Sequence, residues 1–132
     1  MDASWLMDEG RAYPVTVDPT VRIEKKQTTI DDAFVRSKDP SSSYGYNFSE
    51  LEVGKNRPYE ICRTFLKFNT LPPLEKGAVI TDARLNLYQY RFSADNGQGF
   101  RVSAHEVTGS WEQRTLTWNN QPKFKPEALG TI

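Results

Sequence analysis

Side chains that could do chemistry are few and scattered in this chain. There is one cysteine, Cys62, and one histidine, His105. A serine or cysteine nucleophile needs a base within hydrogen-bond reach. A single imidazole serves the whole chain, and no Gly-x-Ser-x-Gly turn presents a serine. Cys62 lies in an apolar run, residues 61–68, and reads as a packed thiol rather than a nucleophile. Two carboxylate pairs, Asp31 with Asp32 and Glu50 with Glu52, could be tried as acid and base on a glycosidic bond. Neighbours in a strand point to opposite faces, so Asp31 and Asp32 cannot face one bond. Glu50 and Glu52 share a face, but nothing beside them marks a cleft, and a solvated strand face accounts for them. One cysteine makes neither an internal disulfide nor a cysteine-rich zinc site, and one histidine makes no His-Glu-x-x-His centre. The chain reads as non-catalytic.

Recognition chemistry is better represented. If the strands around 63–67, 84–88 and 101–105 shared one sheet, Arg63, Lys67, Arg84, Asn86, Tyr88, Arg101, Ser103 and His105 would point outward together. Guanidinium forks bind acid groups bidentately, and rings stack on the C–H face of a sugar. The alternative is the polar outer face that any antiparallel sheet carries, split if consecutive strands lie in different sheets. Trp111 and Trp118 read as core residues rather than sugar platforms.

The elements that would position these residues are short strands. Alternation or short apolar runs bounded by turn residues mark 13–17, 21–24, 32–35, 50–53, 61–68, 80–90, 100–107 and 115–118. The clearest period of two is at 80–90, with Ala83, Leu85 and Leu87 on one side and Arg84, Asn86 and Tyr88 on the other. A Ser-, Pro- and Gly-rich loop spans 37–46, and Asn119-Asn120-Gln121-Pro122 is turn chemistry. About eight short strands with regular turns predict an all-β antiparallel sandwich of the jelly-roll type. Its expected core is Phe34, Val35, Leu51, Val53, Leu66, Phe68, Leu85, Leu87, Val102, Trp111 and Trp118.

The 132 residues suit one domain. Seventeen Lys+Arg balance seventeen Asp+Glu, so the basic footprint of a nucleic-acid binder is missing. No apolar run approaches the roughly 20 residues of a membrane span. Residues 1–10 carry three acidic side chains and no apolar stretch of a signal peptide.

An ordered set of segments resembles a known family. Residues 11–21, RAYPVTVDPTV, are similar to the stretch preceding such domains in bacterial RHS/YD-repeat and wall-associated surface proteins. There follow Asp32-Ala33-Phe34-Val35, Tyr44-Gly45-Tyr46-Asn47, Leu51-Glu52-Val53-Gly54, Arg63 with Phe65-Leu66-Lys67-Phe68, the run from Ile80 to Tyr88, Trp111-Glu112, and Leu116-Thr117-Trp118-Asn119-Asn120-Gln121-Pro122. Together they resemble the DNRLRE domain, also classed as carbohydrate-binding module family 96, over about residues 27–122. The resemblance implies a segment 1–19 belonging to a preceding region and a jelly-roll domain over 20–132 that lacks its last strands. It also implies a bacterial cell-surface or secreted setting and binding of a polysaccharide or cell-wall glycan; the residues expected to bind it are those of the polar face, Arg63, Arg84, Asn86, Tyr88, Arg101 and His105. A structural spacer or docking domain in a long RHS-type surface or toxin-delivery protein is the other reading. Jelly-roll carbohydrate modules often hold a structural calcium. Asp31 and Asp32, at a loop–strand boundary, are its expected ligands here, with turn capping as the alternative.

Overall fold

The structure, a computed structural model, describes residues 30–46, 48–71, 73–74, 76–91 and 101–132. Its regular elements are all strands: β1 Ile30–Arg36, β2 Gly54–Asn56, β3 Glu60–Phe68, β4 Ser103–Val107 and β5 Phe124–Thr131. They form two antiparallel sheets, one ordered β1-β3-β2 and one of β4 with β5. The all-β class expected from the sequence holds. A jelly-roll order of strands is not displayed among the described residues. The expected strands at 13–17 and 21–24 lie outside them.

β1 and β3 carry the fold. Their register places Asp31 opposite Lys67, Ala33 opposite Phe65 and Val35 opposite Arg63. The period of two then gives each strand two working faces. On one face Ala33, Val35 and Phe65 pack with Trp111 and Leu116, and Val107 of β4 and Trp118 close against them. On the other, Phe34 stacks on Tyr44 at 4.8 Å between ring centroids and meets Phe48 edge-on at 5.4 Å. Phe34, Val35 and Leu116 are the largest fully buried side chains. Each such burial is worth about 1.5–3 kcal/mol.

Three expectations are corrected. Residues 80–90 form no strand and are exposed throughout, with Leu85, Leu87 and Tyr88 in solvent. Alternation fits a pleat, but pairing needs a neighbouring strand, and no described strand pairs with this segment. The strand read at 50–53 begins instead at Gly54, whose φ of 119° suits glycine alone. Residues 115–118 are not a strand either: they belong to a turn that lies across the sheet, and Leu116 plugs the core from it. β5 is an addition to the expected strands, because Phe-Lys-Pro-Glu-Ala-Leu-Gly-Thr has no alternation and contains Pro126. The β4–β5 ladder accommodates that stretch with register shifts around His105.

Core membership shifts accordingly. Phe34, Val35 and Trp111 are buried as expected, whereas Leu51, Val53, Phe68, Leu85 and Leu87 are exposed. Within β3 it is Phe65, not Leu66, that fills the core.

Candidate functional site

The residues 111–122 fold on themselves before they meet the sheets. Leu116 N donates to Glu112 O at 3.0 Å and closes the first turn. Asn120 then ties the second: its Oδ1 accepts from Thr117 N at 2.6 Å and its Nδ2 donates to Thr115 O at 2.8 Å. Gln121 Nε2 donates to Trp118 O at 2.8 Å. Asn and Gln amides replace the strand ladder here, which is why this stretch is turn rather than strand. Asn119 N donates to Pro40 O at 3.0 Å and anchors the turn to the 37–46 loop.

The anchored turn presents Trp118 and Gln121 to β3. Arg63 Nη1 donates to Gln121 Oε1 at 2.8 Å, and its guanidinium lies 4.7 Å from the Trp118 ring centroid and 5.5 Å from that of Phe124. His105 approaches Phe124 from β4, with ring centroids 5.2 Å apart. Its Nδ1 pairs with Lys125 O at 2.9 Å, which fixes the ring. Lys125 and Glu106 form an exposed ion pair at 2.8 Å beside it. Arg63, Gln121, Trp118 and His105 are half-buried and Phe124 is 42% exposed, so the group is held from behind and open in front. It offers two aromatic rings, a guanidinium, an amide and an imidazole, the types of group that grip hydroxyl- and carboxylate-bearing rings.

Of the six residues expected to bind ligand, the structure thus brings Arg63 and His105 together about Phe124. The shared sheet that was to unite the six is not formed among the described residues: β3 and β4 lie in different sheets, and residues 84–88 lie in none. Arg84 pairs locally with Asp82 at 2.7 Å, and Asn86 and Tyr88 stand exposed on the same segment. Arg101 borders a shallow groove of about 340 Å³ with Val53, Ile61, Cys62 and Val102. Lys67, expected outward, faces the core side: its Nζ meets Asp31 at 2.9 Å and donates to Trp111 O at 3.1 Å. Phe124 and Gln121 were not anticipated. The turn carrying Gln121 was legible from Asn119-Asn120-Gln121-Pro122, but nothing in the sequence marks which of its side chains meets Arg63.

The two aspartates part company. Asp31 faces Lys67, whose hydrogen bond to the carboxylate lowers its pKa against the opposing effect of burial. Asp32 is buried on the opposite face, where Gln113 Nε2 donates to its Oδ1 at 3.2 Å. Calcium requires six to eight oxygens around one point. These carboxylates do not converge, one of them faces an ammonium, and no group of three or more His, Cys, Asp or Glu assembles among the described residues. The pair does not fit a calcium site.

Elsewhere charge is held for structure. Arg36 makes two bonds to Glu52, at 3.0 and 2.6 Å, and lies 3.6 Å from the Tyr59 ring centroid. Burial opposes its charge, but Glu52 more than offsets that and leaves its pKa above the ordinary arginine value. Cys62 is buried beside Glu52, and burial pushes its thiol up to about 11.

A family model for carbohydrate-binding modules matches residues 23–132, spanning both sheets and the whole of the Arg63–Trp118–Phe124 group. The chain belongs to carbohydrate-binding module family 96. Among curated proteins, this family 96 module is similar to the tRNA3(Ser)-specific nuclease WapA of Bacillus spizizenii, 27% identical over 137 aligned residues. It is 26% identical over the same length to the tRNA nuclease WapA of Bacillus subtilis strain 168. In both cases 94% of the module aligns, and it spans only 6% of the relative. No solved structure matches it.

Proposed function

We propose that this family 96 module is a non-catalytic binding unit that holds a larger bacterial protein at a cell-wall glycan or an acidic polysaccharide outside the cell. The observation that carries the reading is the half-open set of Arg63, Trp118, Phe124, Gln121 and His105, which two sheets and a self-bonded turn hold in place. Groups fixed before binding lose little entropy when a sugar arrives. Rings take the C–H face of a pyranose, and Arg63 and Gln121 supply donors for hydroxyl or carboxylate oxygens. Affinity then comes from several weak contacts rather than from one enclosed pocket.

The resemblance of residues 11–21 to the stretch ahead of such domains in wall-associated proteins supports the extracellular setting. A spacer or docking role in a long surface or toxin-delivery protein is the second reading, and the resemblance of residues 11–21 to segments of RHS-type proteins favours it. The tRNA chemistry in the relatives' names we assign to the remainder of such chains. Seventeen basic against seventeen acidic residues leave this module without the basic excess that marks a nucleic-acid binder.

A glycan-array screen of the module, with alginate and peptidoglycan included, tests the proposal. Retention by one glycan class, reduced in Arg63→Ala and Trp118→Ala variants that keep their circular dichroism, is the expected result. A folded module retained by no glycan leaves the spacer reading in its place.

A further inference from the structure

We infer that a second sugar-contact surface exists, built on Tyr46 and Arg114 and sharing no residue with the Arg63 group. The inference rests on the reading of the chain as a carbohydrate-binding module and adds a second point of attachment to it.

Three consecutive residues lock the 43–46 loop onto the turn at 112–115. Ser43 Oγ donates to Arg114 O at 2.9 Å. Tyr44 stacks on buried Phe34 at 4.8 Å, and its hydroxyl donates to Asp39 at 3.1 Å. Gly45 is buried so tightly that a Cβ there would collide with Gln113 O, so only glycine permits this approach. The next residue, Tyr46, is delivered outward. Its ring lies 4.1 Å from the Arg114 guanidinium carbon, yet the residue remains 62% exposed.

An aromatic residue turned to solvent by a backbone so constrained gains little burial for the fold. What it gains is a ring with a guanidinium stacked over one face and its other face turned outward. A pyranose can lay its C–H face on that outer face, and the edge N–H groups of the guanidinium can take the carboxylate of an adjoining unit through two parallel bonds. The ligand class is therefore a uronate unit of an acidic polysaccharide. Two surfaces on one module would engage one long chain at two places, which raises retention on polymer well above that on a short oligosaccharide.

The test is a titration of the isotope-labelled module with alginate oligosaccharides, followed by the Trp118 indole signal and the backbone amides of Gly45, Tyr46 and Arg114. Two sets of shifts should appear, one at Trp118 and one at the Tyr46–Arg114 surface. Tyr46→Ala should erase the second set and keep the first, and should weaken retention on alginate polymer about tenfold at unchanged melting temperature. Arg114→Gln should do the same, and Arg114→Lys should restore part of it. Movement at Trp118 alone overturns the second surface and leaves the proposed function standing. Movement at the Tyr46 surface alone upholds the second surface and refutes the Arg63 group. Movement at neither refutes both for this ligand.

Discussion

Replacing Lys67 by methionine isolates what fastens the 111–122 turn to the sheet. The substitution keeps an unbranched stem of similar length and removes the ammonium. Four interactions go with it: the Asp31 ion pair at 2.9 Å, a long and exposed one to Glu112 at 4.0 Å that adds little, the bond to Trp111 O at 3.1 Å, and the contact 5.1 Å from the Trp111 ring centroid. The Asp31 pair is partly exposed and screened, so it supplies about 0.5–1 kcal/mol. The charged bond to the carbonyl adds about 1 kcal/mol and the ring contact about 0.5 kcal/mol. The variant should therefore unfold about 2 kcal/mol more easily at pH 7, a fall in melting temperature of about 8 °C. The Asp31 share depends on pH with a definite sign. Its folded pKa is depressed, so that share is fully present above the unfolded value of about 3.9 and is lost as pH falls through the folded value. The gap between wild type and variant should narrow by about a quarter to a half between pH 7 and a pH below the folded value of Asp31. Urea denaturation at the two pH values measures both quantities. No change in midpoint at pH 7, or a gap that does not narrow in acid, would refute the role given to Lys67.

Other expectations follow from the same contacts. Leu116→Ala opens a cavity at a residue only 1% exposed and should cost about 2–4 kcal/mol in urea unfolding, with the far-ultraviolet spectrum kept. Gly45→Ala forces a Cβ against the Gln113 carbonyl and should undock the 43–46 loop, seen as loss of amide protection there while β1 and β3 stay protected. Cys62, with its pKa pushed up to about 11, should react with a disulfide reagent at pH 8 about a hundredfold more slowly than an ordinary thiol, and at the ordinary rate in urea. The raised value also means that stability falls as pH climbs from about 9 towards 11, because the unfolded thiol ionises first.

The sequence revealed local structure more faithfully than pairing. β1 and β3 were readable because an apolar run buried on two faces has few other uses, and the match at Ile61 to Phe68 is close to the observed Glu60–Phe68. The alternation at 80–90 was just as clear, yet a strand exists only where a partner does, and nothing local records the partner. β5 was invisible for the opposite reason: its ladder with β4 imposes a strand on residues that have no period. The site divides the same way. Arg63 and His105 were picked out by chemistry, but what joins them is Phe124, a residue on a strand that could not be foreseen. Asp31 and Asp32 were expected to ligate calcium from a loop–strand boundary, but both lie within β1, where the pleat sends them to opposite faces.

The central claim is that the Arg63 group binds carbohydrate, and affinity electrophoresis tests it most directly. The module and its Arg63→Gln variant are run through gels with and without alginate, beside a non-binding protein. Glutamine keeps a polar group at the position but abolishes the guanidinium that lies over Trp118 and Phe124. The account predicts that alginate retards the native module and that the variant, folded by circular dichroism, migrates nearly as it does in the empty gel. Equal retardation of the two would contradict it.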